Sequence, residues 1–297
     1  STSFVSSSSS TSEWLQMPDG KFYHKTCVHH HDDTFHVERL PEKRSLLTKK
    51  SMSVLLPPCP YPSLLSLKDV ATESPQHYYS DWSVYAQTAT TTSFNFMTST
   101  WQVPPIPTNH GPFDLSSVYL FNGLEDGAGH HGNATLILQP VLQYGKSGCL
   151  INPTKWTSWQ AGSYLVDGNG RAHCGKTFPV SVNDTVVGTM TKQSGSSNTW
   201  TVTTSGGPNN ATSTYTSSLG NKIINAAYLT LEGMVIYNCQ TYPSGGGVSF
   251  TNIELKNDQG EQIKGTVWTP EIRHDECGQS VAVVSSDQVE LEWKNSL

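Results

Sequence analysis

Thr135-Leu136-Ile137-Leu138-Gln139-Pro140-Val141-Leu142-Gln143-Tyr144 is the stretch from which the fold is read. Side chains alternate across a strand, so Leu136, Leu138, Pro140, Leu142 and Tyr144 share one face, and Ile137, Gln139, Val141 and Gln143 the other. The first face is apolar throughout and belongs against a core; on the second, two amides project together. Pro140 cannot donate a ladder hydrogen bond, which calls for an edge or bulged position. A second stretch, Leu229-Thr230-Leu231-Glu232-Gly233-Met234-Val235-Ile236-Tyr237, has the same character. Leu229, Leu231, Val235 and Tyr237 take the core register with Gly233 among them, and Glu232 faces the opposite way with Thr230 and Met234.

Outward from these two, residues 81–297 read as short alternating strands: 83–87, 93–103, 117–121, 156–166, 176–182, 184–192, 199–204, 248–256, 280–285 and 289–293. Turn residues fall between them, as in Asp167-Gly168-Asn169-Gly170, Ser205-Gly206-Gly207-Pro208 and Gly245-Gly246-Gly247. No periodic helix is visible, so this part is expected to be an all-β sandwich or barrel of antiparallel sheets. The N-terminal part differs. Residues 1–12 are nearly all Ser and Thr and read as a linker. Residues 13–80 hold eight of the 18 Lys and Arg and a Pro-rich run, 56–62, without a sustained strand or helix period, and are expected to form an irregular arm or prosegment.

Charged residues make up only 14% of the 297, and the net charge of −6 supplies no basic field, which argues against nucleic acid as a partner. No run is apolar enough to span a bilayer. The six Cys form no C-x-x-C pair. Sequential pairing, Cys27–Cys59, Cys149–Cys174 and Cys239–Cys277, follows the chain's segments and closes modest loops. Together with glycosylation sequons at Asn133, Asn183 and Asn210, the Cys content points to secretion. His29, His30, His31 and His36 with Asp32 and Asp33 are read as part of a solvated arm rather than a metal site, because neighbours on an extended chain point apart.

Several motifs, taken in order, resemble the eqolisin-type glutamic peptidases over roughly residues 94–253. Ser99-Thr100-Trp101-Gln102-Val103-Pro104 resembles the family's opening strand and Val-Pro turn, and residues 119–127 its apolar strand running into a Gly-hydrophobic-acidic turn. Ile137-Leu138-Gln139 matches its Ile-Leu-Gln, residues 182–188 resemble a turn and following strand, 231–235 fall at its Glu, and 248–252 resemble its closing strand. The resemblance implies a sandwich of two bent antiparallel sheets, a concanavalin-like jelly roll. It also implies secreted endopeptidase activity on polypeptides without metal or other cofactor.

In that reading Glu232 is general base and then acid, and Gln139 donates to the oxyanion, with acidic pH favoured. Glu125, Gln143 and Trp159 fall at substrate-side positions of the resemblance. Gly233 stands where the family has a bulky aromatic. Read without the resemblance, Gln139 and Glu232 are solvated strand residues. Two further functions remain open: a non-catalytic extracellular sandwich that self-assembles through its N-terminal arm, and a glycan-binding or glycan-cleaving sandwich using Glu125 and Glu232.

Overall fold

The structure, a computed structural model, describes residues 80–297 apart from 111–115, 128–134, 151–154, 196–197, 208 and 297. It also describes the backbone of Tyr79 and of five short strands before it. The chain divides into two compact units, Ser1–Tyr78 and Tyr79–Leu297. In the first, β1 (Trp14–Gln16) pairs with β2 (Phe22–His24), and β3 (His36–Arg39), β4 (Ser45–Lys49) and β5 (Met52–Leu56) form a three-stranded antiparallel sheet. The sequence shows no period here because strands this short complete at most two alternations.

The second unit holds β6 (Tyr79–Ala89), β7 (Phe94–Gln102), β8 (Ser117–Glu125), β9 (Leu136–Tyr144), β10 (Gln160–Asp167), β11 (Ala172–Cys174) and β12 (Phe178–Pro179). There follow β13 (Thr185–Lys192), β14 (Thr199–Gly206), β15 (Ala211–Ser218), β16 (Ala226–Ile236), β17 (Gly247–Asn257), β18 (Thr269–Ile272), β19 (Ser280–Ser285) and β20 (Gln288–Glu292). Two antiparallel sheets pack as a sandwich. One runs β11-β10-β9-β8-β16-β6-β18, with β12 also on β10; the other runs β15-β14-β13-β7-β17-β20-β19.

Alternation builds the core between the sheets. Leu138, Leu142 and Tyr144 of β9, Leu120 and Leu124 of β8, and Leu229 and Leu231 of β16 meet Met97, Trp101, Val186, Met190, Trp200, Val202 and Phe250 of the facing sheet. Burying such side chains contributes about 1.5–3 kcal/mol each. Pro140 is not at an edge: β9 lies between β8 and β10, and its register with β8 is constant on both sides of the proline. The missing N–H falls opposite Asn122, whose side-chain Nδ2 instead donates to Gly188 O across the sandwich (3.2 Å). The sheets approach closely there. A Cβ on Gly188 would lie 2.6 Å from Pro140 Cβ.

The end of β16 also departs from strict alternation. Val235 has φ +57°, the pairing with β6 shifts between Gly233 and Ile236, and Ile236 rather than Val235 or Tyr237 enters the core. The Ile236 side chain fills the space a side chain on residue 233 would need, which accounts for glycine after Glu232. Disulfides join Cys149 to Cys174 and Cys239 to Cys277, with Cα separations of 5.9 and 5.3 Å. Cys27 and Cys59 lie outside the described residues, as do Asn133 and His29–His31. Asn183 and Asn210 are exposed in turns with φ of 70° and 48°. Among the described residues, no helix is long and apolar enough to cross a membrane.

Candidate active site

The sheet containing β9 and β16 has a second face, turned away from the sandwich core. Trp82, Tyr85, Phe121, Ile137, Val141, Tyr164 and Tyr228 cluster on it, with Trp82 edge-on to Tyr85, Phe121 and Tyr228 at centroid distances of 5.2, 5.7 and 5.0 Å. Gln139, Gln143 and Glu232 share this face by the same parity that sends their neighbours into the core.

Strand register sets their relative positions. Glu232 pairs with Tyr119 on β8, which pairs with Gln143 on β9. Gln139 pairs with Tyr164 on β10, and the β8–β9 register on either side of it brings Gly123 level with it. Gln139 and Glu232 are therefore two strands and four residues apart. At about 4.8 Å between strands and about 3.3 Å per residue, that is a diagonal of about 16 Å between Cα atoms. Tyr164 and Tyr119 stand on a parallel diagonal of the same offset, and their phenols interact electrostatically.

The Glu232 carboxyl is half-buried and has no hydrogen-bond partner among the described residues. Burial pushes it up to about 7, and the negative charge of Asp81 adds to the rise. Asp81 accepts from Trp82 N–H (2.8 Å) and from Arg273 Nη1 at both carboxylate oxygens (3.1 and 2.9 Å). Arg273 and His274 N–H both donate to Ser83 O (3.0 and 3.1 Å). This pins the bulge at which β6 slips against β16 between Leu231 and Glu232. The segment after β18 thus holds the backbone facing Glu232.

On the other side, Tyr119 is half-buried, and its hydroxyl donates to Lys146 O (3.1 Å). Burial raises its phenol, and the Glu232 charge raises it further. Ser117 Oγ donates to the same carbonyl (2.6 Å). The Gln139 amide is only 5% exposed and has no hydrogen-bond partner among the described residues.

The other residues expected here sit differently. Gln143 is engaged within the fold: Nε2 donates to Gly145 O (2.9 Å), and Oε1 accepts from Ser147 Oγ (2.9 Å) and the Tyr164 hydroxyl (2.5 Å). Trp159 lies in the sandwich core at 1% exposure, edge-on to Tyr144 at 5.4 Å, because its parity is opposite to that of Gln160. It faces away from the face that carries Glu232. Glu125 is level with Ala226, six residues along from Glu232, or about 20 Å. Less a side-chain reach of about 4–5 Å at each end, the carboxyls stand about 10–12 Å apart, at or beyond the roughly 5–10 Å spacing of a glycosidase pair.

Tyr119, Tyr164, Asp81 and Arg273 were not singled out from the sequence. Tyr119 shares the parity of Phe121 and Gly123 and was within reach of strand reasoning. Asp81 and Arg273 come together over 192 residues, with no local signal. Among the described residues, no group of three or more His, Cys, Asp or Glu side chains is arranged to hold a metal.

The fold is that of glutamic peptidases of known structure. Two structures of scytalido-glutamic peptidase, one with a peptide-based transition state analog and one with a transition state analog inhibitor, match with TM-scores of 0.52 and 0.53 at 14% and 15% identity. SCP-B, a member of the eqolisin family of peptidases in complex with the tripeptide Ala-Ile-His, matches with a TM-score of 0.50 at 14% identity. Each match covers 73% of this chain and all of the other. No family model matches the sequence, and no curated protein does.

Proposed function

We propose that this chain is a secreted endopeptidase that hydrolyses peptide bonds with Glu232 as general base and Gln139 as oxyanion donor. The observation that carries the reading is Glu232 itself: a half-buried carboxyl on the sheet face turned away from the sandwich core, without a hydrogen-bond partner among the described residues and pushed up to about 7. A carboxyl satisfied by the fold would be poorly placed to take a proton. Glu232 draws a proton from water as the water oxygen bonds to the scissile carbonyl carbon. The same proton then passes to the amide nitrogen as the C–N bond breaks.

The diagonal offset suits this chemistry. Side chains that reach about 4–5 Å from each Cα and lean toward one another over the sheet leave a gap of about 7 Å. A bent chain of water, carbonyl carbon and carbonyl oxygen fills it, with hydrogen bonds of about 2.9 Å at each end and attack from about 3–3.5 Å. The likeness to glutamic peptidases lends the reading support at the level of fold. The two disulfides fit an oxidising, extracellular setting.

A base must be ionised to work, so with its carboxyl near 7, activity rises as pH climbs through about 7. Cleavage of an unfolded protein by wild type and Glu232→Gln, from about pH 3 to about pH 9, tests the reading. Cleavage present in wild type and lost in the variant supports it; a wild type inactive at every pH overturns it.

A second reading, a non-catalytic extracellular sandwich that self-assembles, draws on the edge strand β19. Ser280–Ser285 carries no charge, and Val283 and Val284 are 41% and 54% exposed.

A further inference from the structure

The face that carries the proposed pair also carries Tyr119. Tyr119 is the cross-strand neighbour of Glu232, so their Cβ atoms lie about 4.5–5.5 Å apart on the same face. It stands on β8, the strand between those of Glu232 and Gln139, level with Glu232 and four residues along from the level of Gln139. Its hydroxyl is not loose. Lys146 O accepts from it, and that carbonyl is also held by Ser117 Oγ. The loop bearing Lys146 is fixed in turn: Ser147 Oγ bonds Gln143, and Cys149 is tied to Cys174. Tyr164, another phenol of the cluster, already donates to Gln143 from inside a buried network. Tyr119 is the half-exposed one of the two.

We propose that Tyr119 is a second oxyanion donor, its hydroxyl turning from Lys146 O to the carbonyl oxygen as charge develops there. The inference rests on the peptidase reading above. A neutral donor beside a developing anion lowers the barrier without itself transferring a proton, and one such donor is worth about 10²–10³ in rate. Burial and the neighbouring Glu232 charge both keep the phenol neutral, as the role requires.

A phosphinate peptide, whose anionic oxygens mimic the tetrahedral intermediate, tests the proposal without depending on turnover. Binding to the full chain is measured by calorimetry for wild type, Tyr119→Phe, Tyr164→Phe and Glu232→Gln, with cleavage assayed alongside. Tyr119→Phe is expected to weaken phosphinate binding by about 100-fold and lower kcat by a similar factor with KM little changed. Tyr164→Phe, which loses a bond of the same kind inside the fold, is expected to leave phosphinate binding within about threefold of wild type. Unchanged phosphinate affinity and kcat in Tyr119→Phe overturn the proposal, even where Glu232→Gln is inactive and the general-base reading stands. Equal losses in both tyrosine variants also overturn it, because they indicate a shared structural effect.

Discussion

The sheet face turned away from the sandwich core has two ends, each with one glutamate beside one tyrosine, and the two pairs are built to opposite effect. At one end Glu125, 2% exposed, lies near Tyr228, whose phenol is raised by burial and by the Glu125 charge, beside the cluster of Trp82, Tyr85 and Phe121. At the other, Glu232 is half-buried, has no hydrogen-bond partner among the described residues, and faces a Tyr119 whose hydroxyl is held by a backbone carbonyl instead. The same two residue types on the same sheet thus give a sealed structural contact and an available acid–base group. What separates them is how deeply each carboxyl is buried and what lies beside it.

The strongest way to break this contrast is to neutralise each carboxyl in turn. Glu232→Gln is expected to lower kcat by about a thousandfold or more while leaving the unfolding midpoint intact or raised, measured by cleavage and thermal melts. Glu125→Ala is expected to do the reverse. It removes a buried group and strips Tyr228 of its contact, costing about 2–3 kcal/mol in chemical denaturation, while cleavage by the folded fraction is retained. Equal loss of activity in both variants would erase the distinction between the ends.

A finer contrast appears in stability against pH. Glu232 is raised in the folded state to about 7, whereas an unfolded glutamate titrates near about 4.3. The folded form therefore holds the extra proton between those values, and stability falls as pH rises through that window. The loss is on the order of 2 kcal/mol, already reduced for the partial exposure of the group. Thermal melts from about pH 4 to about pH 8 should show this decline in wild type and not in Glu232→Gln. The smallest expected effect belongs to Asp81→Asn. Removing that charge lowers the Glu232 carboxyl, so the acid limb of cleavage moves below its wild-type position, while burial still keeps it above an ordinary glutamate. An unmoved limb would assign the rise to burial alone.

Much of the scaffold was legible in the sequence because alternation is a local property. The two faces of β9 follow residue by residue from the run between Leu136 and Tyr144, and β16 is right up to Glu232. Beyond Gly233 the reading fails, because a bulge with Val235 at positive φ restarts the parity, and no sequence pattern announced it. Pro140 was expected at an edge or bulge because the proline rule is statistical, and here an adjacent asparagine turns across the sandwich to Gly188. β15 went unnoticed since Ala211–Ser218 is almost wholly Thr and Ser, with no apolar alternation to read. The candidate site was less legible than the fold. Its face could be read; the four-residue offset between Gln139 and Glu232 depends on register, and Asp81 with Arg273 depends on the far end of the chain.

The bond between Cys149 and Cys174 has a consequence beyond compactness. It ties the loop after β9 to the edge strand β11, and that loop presents the carbonyl on which the Tyr119 hydroxyl rests. A thiol reductant added to the folded protein would thus act as a remote inhibitor, loosening the loop's grip on that phenol while the sandwich core, held by its own packing, stays intact. Activity would then be full only where the environment has let those two sulfurs join.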